Sequence, residues 1–234
     1  MVSIGHKAGI HKTADIDPKA KVHETAFIGA YAVINEGVEI GERCRVDAHS
    51  VIGAVPFDDY EDGALHPVVL EAGAWIGSHV IIQRGVSRPT IIGAEASVNH
   101  GCSIGHDVQI GPACEIGLSS TISGHSNLGE GVRIGPGCTV NNRSELGSFS
   151  RVGIGSLVLH PVDANTVVVG RPAMPLSEYK KLSAAMRELT GDNRVSRPVT
   201  SAASKYARHM PFLKPLLRLL PRSVKTALKK LLTR

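Results

Sequence analysis

The chain has 234 residues and a mass of 24.7 kDa, enough for one or two domains with a real core. Its 42% apolar content excludes disorder throughout, and its 4% aromatic content with 25 glycines requires a core of small and aliphatic side chains. The net charge of +5 divides into −6 for residues 1–176 and +11 for residues 177–234, so the basic character belongs to the tail. No apolar run approaches the roughly 18 residues of a membrane span. The opening Met1 to Lys7 has no signal-peptide stretch, and the expectation is a cytoplasmic protein.

The first 52 residues carry a strict period of six. Stepping from Ile4 gives Ile10, Ile16, Val22, Ile28, Ile34, Ile40, Val46 and Ile52. A small residue follows four places later, as in Ala8, Ala14, Ala20, Ala26, Ala32 and Cys44. The residue directly after the aliphatic is often Gly, Asn or Asp, types that tolerate positive φ at a sharp corner. Each hexad therefore reads as a short strand and a corner. Period six fits neither an α-helix nor a hairpin sheet. It fits a parallel β-solenoid of triangular section, with three hexads per coil and successive coils about 4.8 Å apart.

Residues 54–69 interrupt the repeat, which resumes at Leu70, Ile76 and Ile82. Leu70 lies 18 residues after Ile52, so the expectation is one whole coil looped out, with Phe57, Asp58, Asp59 and Tyr60 placed over a substrate or in a solvated acidic turn. A second interruption, 83–91, shifts the phase by four. Loops leaving a rigid scaffold are where function usually sits.

The third run goes from Ile92 through Val98, Ile104, Ile110, Ile116 and Ile122 to Val158, bringing the aliphatic sites to 24, or about eight coils. All four cysteines occupy the small-residue slot, which makes them buried spacers rather than ligands or nucleophiles. The stretch Val98 to Asp107 follows the phase-shifting loop and concentrates polar chemistry. His106 comes two places after an inward Ile and should emerge at an edge of the prism. An imidazole there suits removal of a proton from an attacking amine or hydroxyl, because its unperturbed pKa lies near working pH. Eighteen residues on, Gly124 lets a ligand approach the backbone N–H one coil above, as an oxyanion donor requires. Asn99 is a candidate to bind the acceptor or His106, and Asp107 a candidate to orient the imidazole. Continuing the stack, Asn142 and His160 are candidates to line a groove, and Arg151 or Arg171 to hold a cofactor phosphate.

Beyond the repeat, Ser177 is expected to cap a helix running to Leu189, with Gly191 as its stop and Tyr179, Leu182, Met186 and Leu189 as a packing face on the last coil or a neighbouring subunit. Residues 192–204 read as a polar linker. The segment 205–234 alternates leucines with Lys and Arg and is broken by Pro215 and Pro221. Such a segment either lies on an anionic membrane or caps the acidic body. No nucleic-acid recognition motif is evident.

Repeats such as Ile28-Gly29-Ala30-Tyr31-Ala32-Val33 and Ile134-Gly135-Pro136-Gly137-Cys138-Thr139 resemble the hexapeptide-repeat acyltransferases over about residues 4–175. The resemblance implies a left-handed parallel β-helix (all-β), a 1–175 domain followed by a helical extension over 176–234, and a homotrimer with active sites between subunits. Asn99, Gly101, His106 and Asp107 match the pattern of acetyltransferases for nucleotide-linked amino sugars in envelope glycan and sialic-acid pathways. That likeness implies His106 as general base, the Gly124 amide as oxyanion donor, acetyl-CoA as donor and no metal. Gly170-Arg171-Pro172-Ala173 matches the ending common among acetyl-CoA-dependent members. The N-terminal repeats and the segment from Ile52 to Gly85 instead resemble UDP-N-acetylglucosamine O-acyltransferase, which uses an acyl carrier protein and has His where Gln83 stands. Two other classes remain open. His100-Gly101-Cys102-Ser103-Ile104-Gly105 resembles gamma-class carbonic anhydrases, with His79, His100 and His106 as metal ligands although Glu95 replaces one family histidine. A non-catalytic solenoid scaffold is the third.

Overall fold

The computed structural model describes residues 8–57 and 65–190, with side chains described as far as 185. Expectations for Asp58, Asp59, Tyr60 and residues 191–234 lie outside the described residues. The chain divides into two compact units, Met1–Tyr179 and Lys180–Arg234.

The first unit is a left-handed parallel β-helix. Its strands form three parallel sheets of ten, eight and seven strands, apart from one antiparallel pair at the end. Strands recur in strict rotation. Ser97–Val98 lies in the first sheet, Ser103–Ile104 in the second and Gln109–Ile110 in the third. One hexad thus advances the chain by one face, and Ile104 pairs with Ile122 one coil later. The repeated aliphatics stack inside: Ile28, Ile52, Ile76, Ile104 and Ile122 are fully buried. Each such side chain contributes about 1.5–3 kcal/mol, which is how a core without aromatics holds. Ile10, in the first described strand, is 56% exposed.

The corners differ from expectation. The glycine after each aliphatic does not supply the positive φ, Gly53 excepted. Positive φ falls three places after the aliphatic, usually on non-glycine residues such as Tyr31, His49, His79, Asp107 and His125. That conformation costs about 1–2 kcal/mol per residue. It is offset because the N–H there bonds back to the preceding coil, as His125 N–H does to the His106 carbonyl at 2.9 Å. The glycines answer to a steric demand. A Cβ on Gly117 would stand 2.5 Å from the Pro136 nitrogen, and one on Gly105 2.6 Å from the Gly124 nitrogen.

The first interruption removes less than a coil. Ile40 pairs with Leu70 across 30 residues instead of 18, so the insertion is two hexads long and Leu70 takes the place six residues after Ile52. The chain leaves after Val51–Ala54 in the second sheet and returns at Val68–Leu70 in the third. The second interruption has the four extra residues expected, between Ile81–Gln83 of the second sheet and Thr90–Ile92 of the third. Both insertions therefore emerge from one edge, in adjacent coils, and they pair there. His66 and Gly85 form an antiparallel bridge, and Arg84 donates to the Leu65 carbonyl at 2.8 Å.

After the last coil, Met174–Pro175 pairs antiparallel with Val167–Val169, and a helix spans Leu176–Thr190. It begins one residue before Ser177, which therefore stands in its first turn with Glu178. Of the expected packing face, Tyr179 and Leu182 are both substantially exposed.

Candidate functional site

His106 stands at the edge between the second and third sheets, directly above the two insertions. It is placed there by Ile104, which pins the strand inside, and by the two-residue step to the corner. The positive φ of Asp107, +60°, folds its side chain back toward its neighbour. Adjacent side chains would diverge on a regular strand; at this corner His106 Nδ1 and Asp107 Oδ2 meet at 2.7 Å. An ionised carboxylate only accepts, so Nδ1 carries a proton in this pair, and the neutral form of the ring then has its lone pair on Nε2.

Asp107 is fully buried. Burial alone would push its carboxyl up, but the His106 hydrogen bond and the N–H groups of Arg88, Ser87 and Val86 outweigh it and hold the pKa below 3.8. Those three successive N–H groups form a nest around the carboxylate, with Ser87 and Arg88 on Oδ1 at 2.8 and 2.6 Å and Val86 on Oδ2 at 3.3 Å. The Asp107 N–H donates to Thr90 Oγ1 at 2.9 Å, and the His106 N–H to Gln83 Oε1 at 3.2 Å.

Gly124 lies one coil on, as the stacking arithmetic requires. A Cβ at Gly124 would stand 2.8 Å from His106 Nε2, so only glycine leaves the imidazole its place. The same corner position holds Pro18, Pro112 and Pro136, residues with no N–H. The coil's hydrogen-bond ladder does not need that donor. Beside it, His125 sets its ring edge-on to His106 at 4.9 Å and its Nδ1 3.7 Å from Asp107. Burial, with His106, Arg143 and Arg88, holds His125 below its ordinary 6.5 against the pull of Asp107, which favours the neutral ring. The stacking arithmetic also reaches His125, 18 residues after Asp107, although it had not been singled out. Gln83, Arg88 and Thr90 left no periodic signal, since they lie within or beside the break in the repeat.

The other expected site residues scatter. Asn142 and His160 share the corner column of His106 and Gly124, each two places after a second-sheet strand, and both are exposed. Asn99 follows Ser97–Val98 of the first sheet, so a third of a coil separates its corner from that of His106. Arg151 belongs to a first-sheet strand, and Arg171 bonds the Gly155 carbonyl at the corner after the first sheet. Neither lies on the His106 edge.

The histidines of the alternative metal reading, His79, His100 and His106, do not come together within one chain. His79 stacks on His49 at 5.0 Å and His100 meets the Trp75 ring at 5.7 Å, at the corner after the first sheet. Among the described residues, only His106, Asp107 and His125 bring three potential ligands within 4.8 Å. Both Asp107 oxygens are already committed to the nest and to His106, so this donor set fits an imidazole–carboxylate pair better than a cation. The four cysteines are buried free thiols, and burial pushes Cys114 up to about 11, which leaves it unreactive.

Residues 19–54 match the family model "Bacterial transferase hexapeptide (six repeats)". The UDP-3-O-acylglucosamine N-acyltransferase of Maricaulis maris is 40% identical over 174 residues, 71% of this chain and 49% of that protein. The enzyme of that name from Caulobacter is 26% identical over 68% of this chain and 49% of its own length. The chain therefore spans about half the length of the curated relatives it matches. The structure of LpxA from Acinetobacter baumannii superposes with TM-score 0.63 at 23% identity, covering 90% of this chain and 94% of that one. The Francisella novicida UDP-N-acetylglucosamine acyltransferase gives 0.63 at 20% identity, covering 90% of each. The fold is thus that of the left-handed β-helix proteins. Residues 19–54 thus carry the hexapeptide repeat of bacterial transferases, and the remaining likeness to these acyltransferases is one of fold.

Proposed function

We propose that this protein transfers an acyl group from a thioester on an acyl carrier protein to an amino or hydroxyl group of a UDP-sugar, acting as a homotrimer. The observation that carries the reading is the His106–Asp107 pair set against Gly124. His106 Nε2 removes the proton from the acceptor as its nitrogen or oxygen attacks the thioester carbonyl. The Gly124 N–H donates to the oxyanion that forms. Collapse of the tetrahedral intermediate breaks the carbon–sulfur bond, and the imidazolium returns its proton to the leaving thiolate. Buried Asp107 fixes the tautomer and stabilises the imidazolium.

The acceptor class rests on the UDP-sugar names of the relatives. Those names say acyl, not acetyl, and for this reason the carrier-protein donor replaces the acetyl-CoA first expected from the His-Asp motif. The reading places the enzyme in the cytoplasm, with the basic 205–234 segment available to an anionic membrane face. Among the described residues, no helix is long and apolar enough to cross a membrane.

The test is a donor comparison. Purified protein is incubated with UDP-N-acetylglucosamine or a UDP-3-O-acylglucosamine, and with either acyl carrier proteins of graded chain length or acetyl-CoA. Product is read by mass. Faster acylation from the carrier protein is expected. Preference for acetyl-CoA would restore the small-acyl donor, and no transfer from either would contradict the reading.

A further inference from the structure

The second interruption of the repeat is organised around two residues. Six hydrogen bonds join residues 83–90 to His106 and Asp107: Gln83 Oε1 to the His106 N–H, the nest of Val86, Ser87 and Arg88, the Arg88 Nε to the Asp107 carbonyl, and Thr90 Oγ1 to the Asp107 N–H. A regular hexad has no backbone to spare for this. The four residues that break the period supply the nest.

Arg88 extends that grip to the next coil. Its Nε donates to the Asp107 carbonyl at 2.9 Å, while its Nη2 donates to the Asn127 Oδ1 at 2.7 Å and the His125 carbonyl at 3.3 Å. One planar fork therefore spans the coil that carries His106 and the coil that carries Gly124. Asn127 is held in turn by Glu145 a coil further on. The stack alone fixes the spacing of coils. The fork additionally fixes the insertion to both of them.

From this geometry we propose that Arg88 is a positioning residue for acyl transfer, its guanidinium holding the carboxylate nest, the His106 imidazole and the Gly124 amide in one register. The proposal rests on the acyl-transfer reading above. Arg88 touches none of the reacting atoms. Its loss should slow the chemical step and spare substrate binding, because misplacing a base by about 1 Å costs on the order of 100-fold. Lysine keeps the charge but has no fork, so it restores only part of the function.

The experiment compares Arg88→Ala and Arg88→Lys with the wild-type chain by two readouts. The first is steady-state kinetics of acyl transfer. The second is the downfield proton resonance of the His106 Nδ1–H to Asp107 bond, identified by its absence in His106→Ala. For Arg88→Ala the expectation is a kcat lower by about 10- to 100-fold with KM within about twofold, and a shifted or exchange-broadened resonance. Arg88→Lys should fall between the two. An unaltered resonance with kcat within threefold would overturn the proposal, as would a rise in KM at constant kcat. If the wild-type chain transfers no acyl group, the acyl-transfer reading fails on its own. The resonance then still decides whether Arg88 holds the pair, and an unaltered signal in both variants overturns that too.

Discussion

Gly124 is a residue at which one methyl group should be decisive. Its missing Cβ would lie 2.8 Å from His106 Nε2 and 3.0 Å from Cε1, so Gly124→Ala must push the imidazole aside. We expect kcat to fall by at least about 10-fold while the melting temperature changes little, since the displaced ring is at the edge and not in the core. Steady-state kinetics with a thermal melt checks both parts. Asp107 makes a second prediction at this scale. Its folded pKa lies below the ordinary 3.8, so ionised Asp107 contributes stability that is complete above about pH 4–5 and is lost as pH falls through the lowered folded value. Denaturation followed from pH 6 to pH 2 should show a steep loss below pH 4, and Asp107→Asn should flatten it. The sequence alone led to His106 and Gly124 because both follow from counting in steps of 6 and 18. It also offered Asp107 as the residue to orient the imidazole. What it did not show is the means: side chains adjacent on a regular strand diverge, and it is the corner's positive φ at Asp107 that joins them.

At the scale of elements, the regular hexads and the two breaks in them have different tasks. The hexads hold the prism together. The breaks both open on the edge that carries His106, and the shorter one wraps Asp107. Thr90 shows how the wrap is bound into the core: it is fully buried, and its hydroxyl accepts the Asp107 N–H at 2.9 Å. Thr90→Val keeps the shape and removes that acceptor. We expect a loss of about 1–3 kcal/mol in urea unfolding, the cost of a buried donor left unpaired; a change below about 0.3 kcal/mol would show that the insertion is held without it. The 24 hexads were legible because each carries the same two inward positions. The insertions were legible only as gaps. Their length was misread by one hexad at 54–69, because Leu70 kept phase whether two or three hexads were lost, and only the pairing of Ile40 with Leu70 decides between them. Their contents have no period, and Arg88 and Thr90 stayed hidden for that reason, while Gln83 was met only as the residue standing where the O-acyltransferase resemblance has His.

In the whole molecule, a solenoid with one populated edge is followed in sequence by a basic segment. Residues 205–234 hold nine Lys and Arg and no Asp or Glu. If that segment meets a membrane, the full chain should sediment with vesicles containing anionic lipid and be released by raised salt, as screening over about 8–10 Å requires. Equal sedimentation with neutral vesicles, or none with either, would remove the membrane from the account. The central claim is that the His106 edge performs acyl transfer. The most direct measurement is the single-turnover rate from an acyl carrier protein thioester to a UDP-sugar, for the wild-type chain and for His106→Ala, with a thermal melt of each to confirm the fold. A loss of at least about 100-fold at an unchanged melting temperature is expected, within the range of about 10²–10⁴ that general-base catalysis contributes. A loss below about threefold would contradict it.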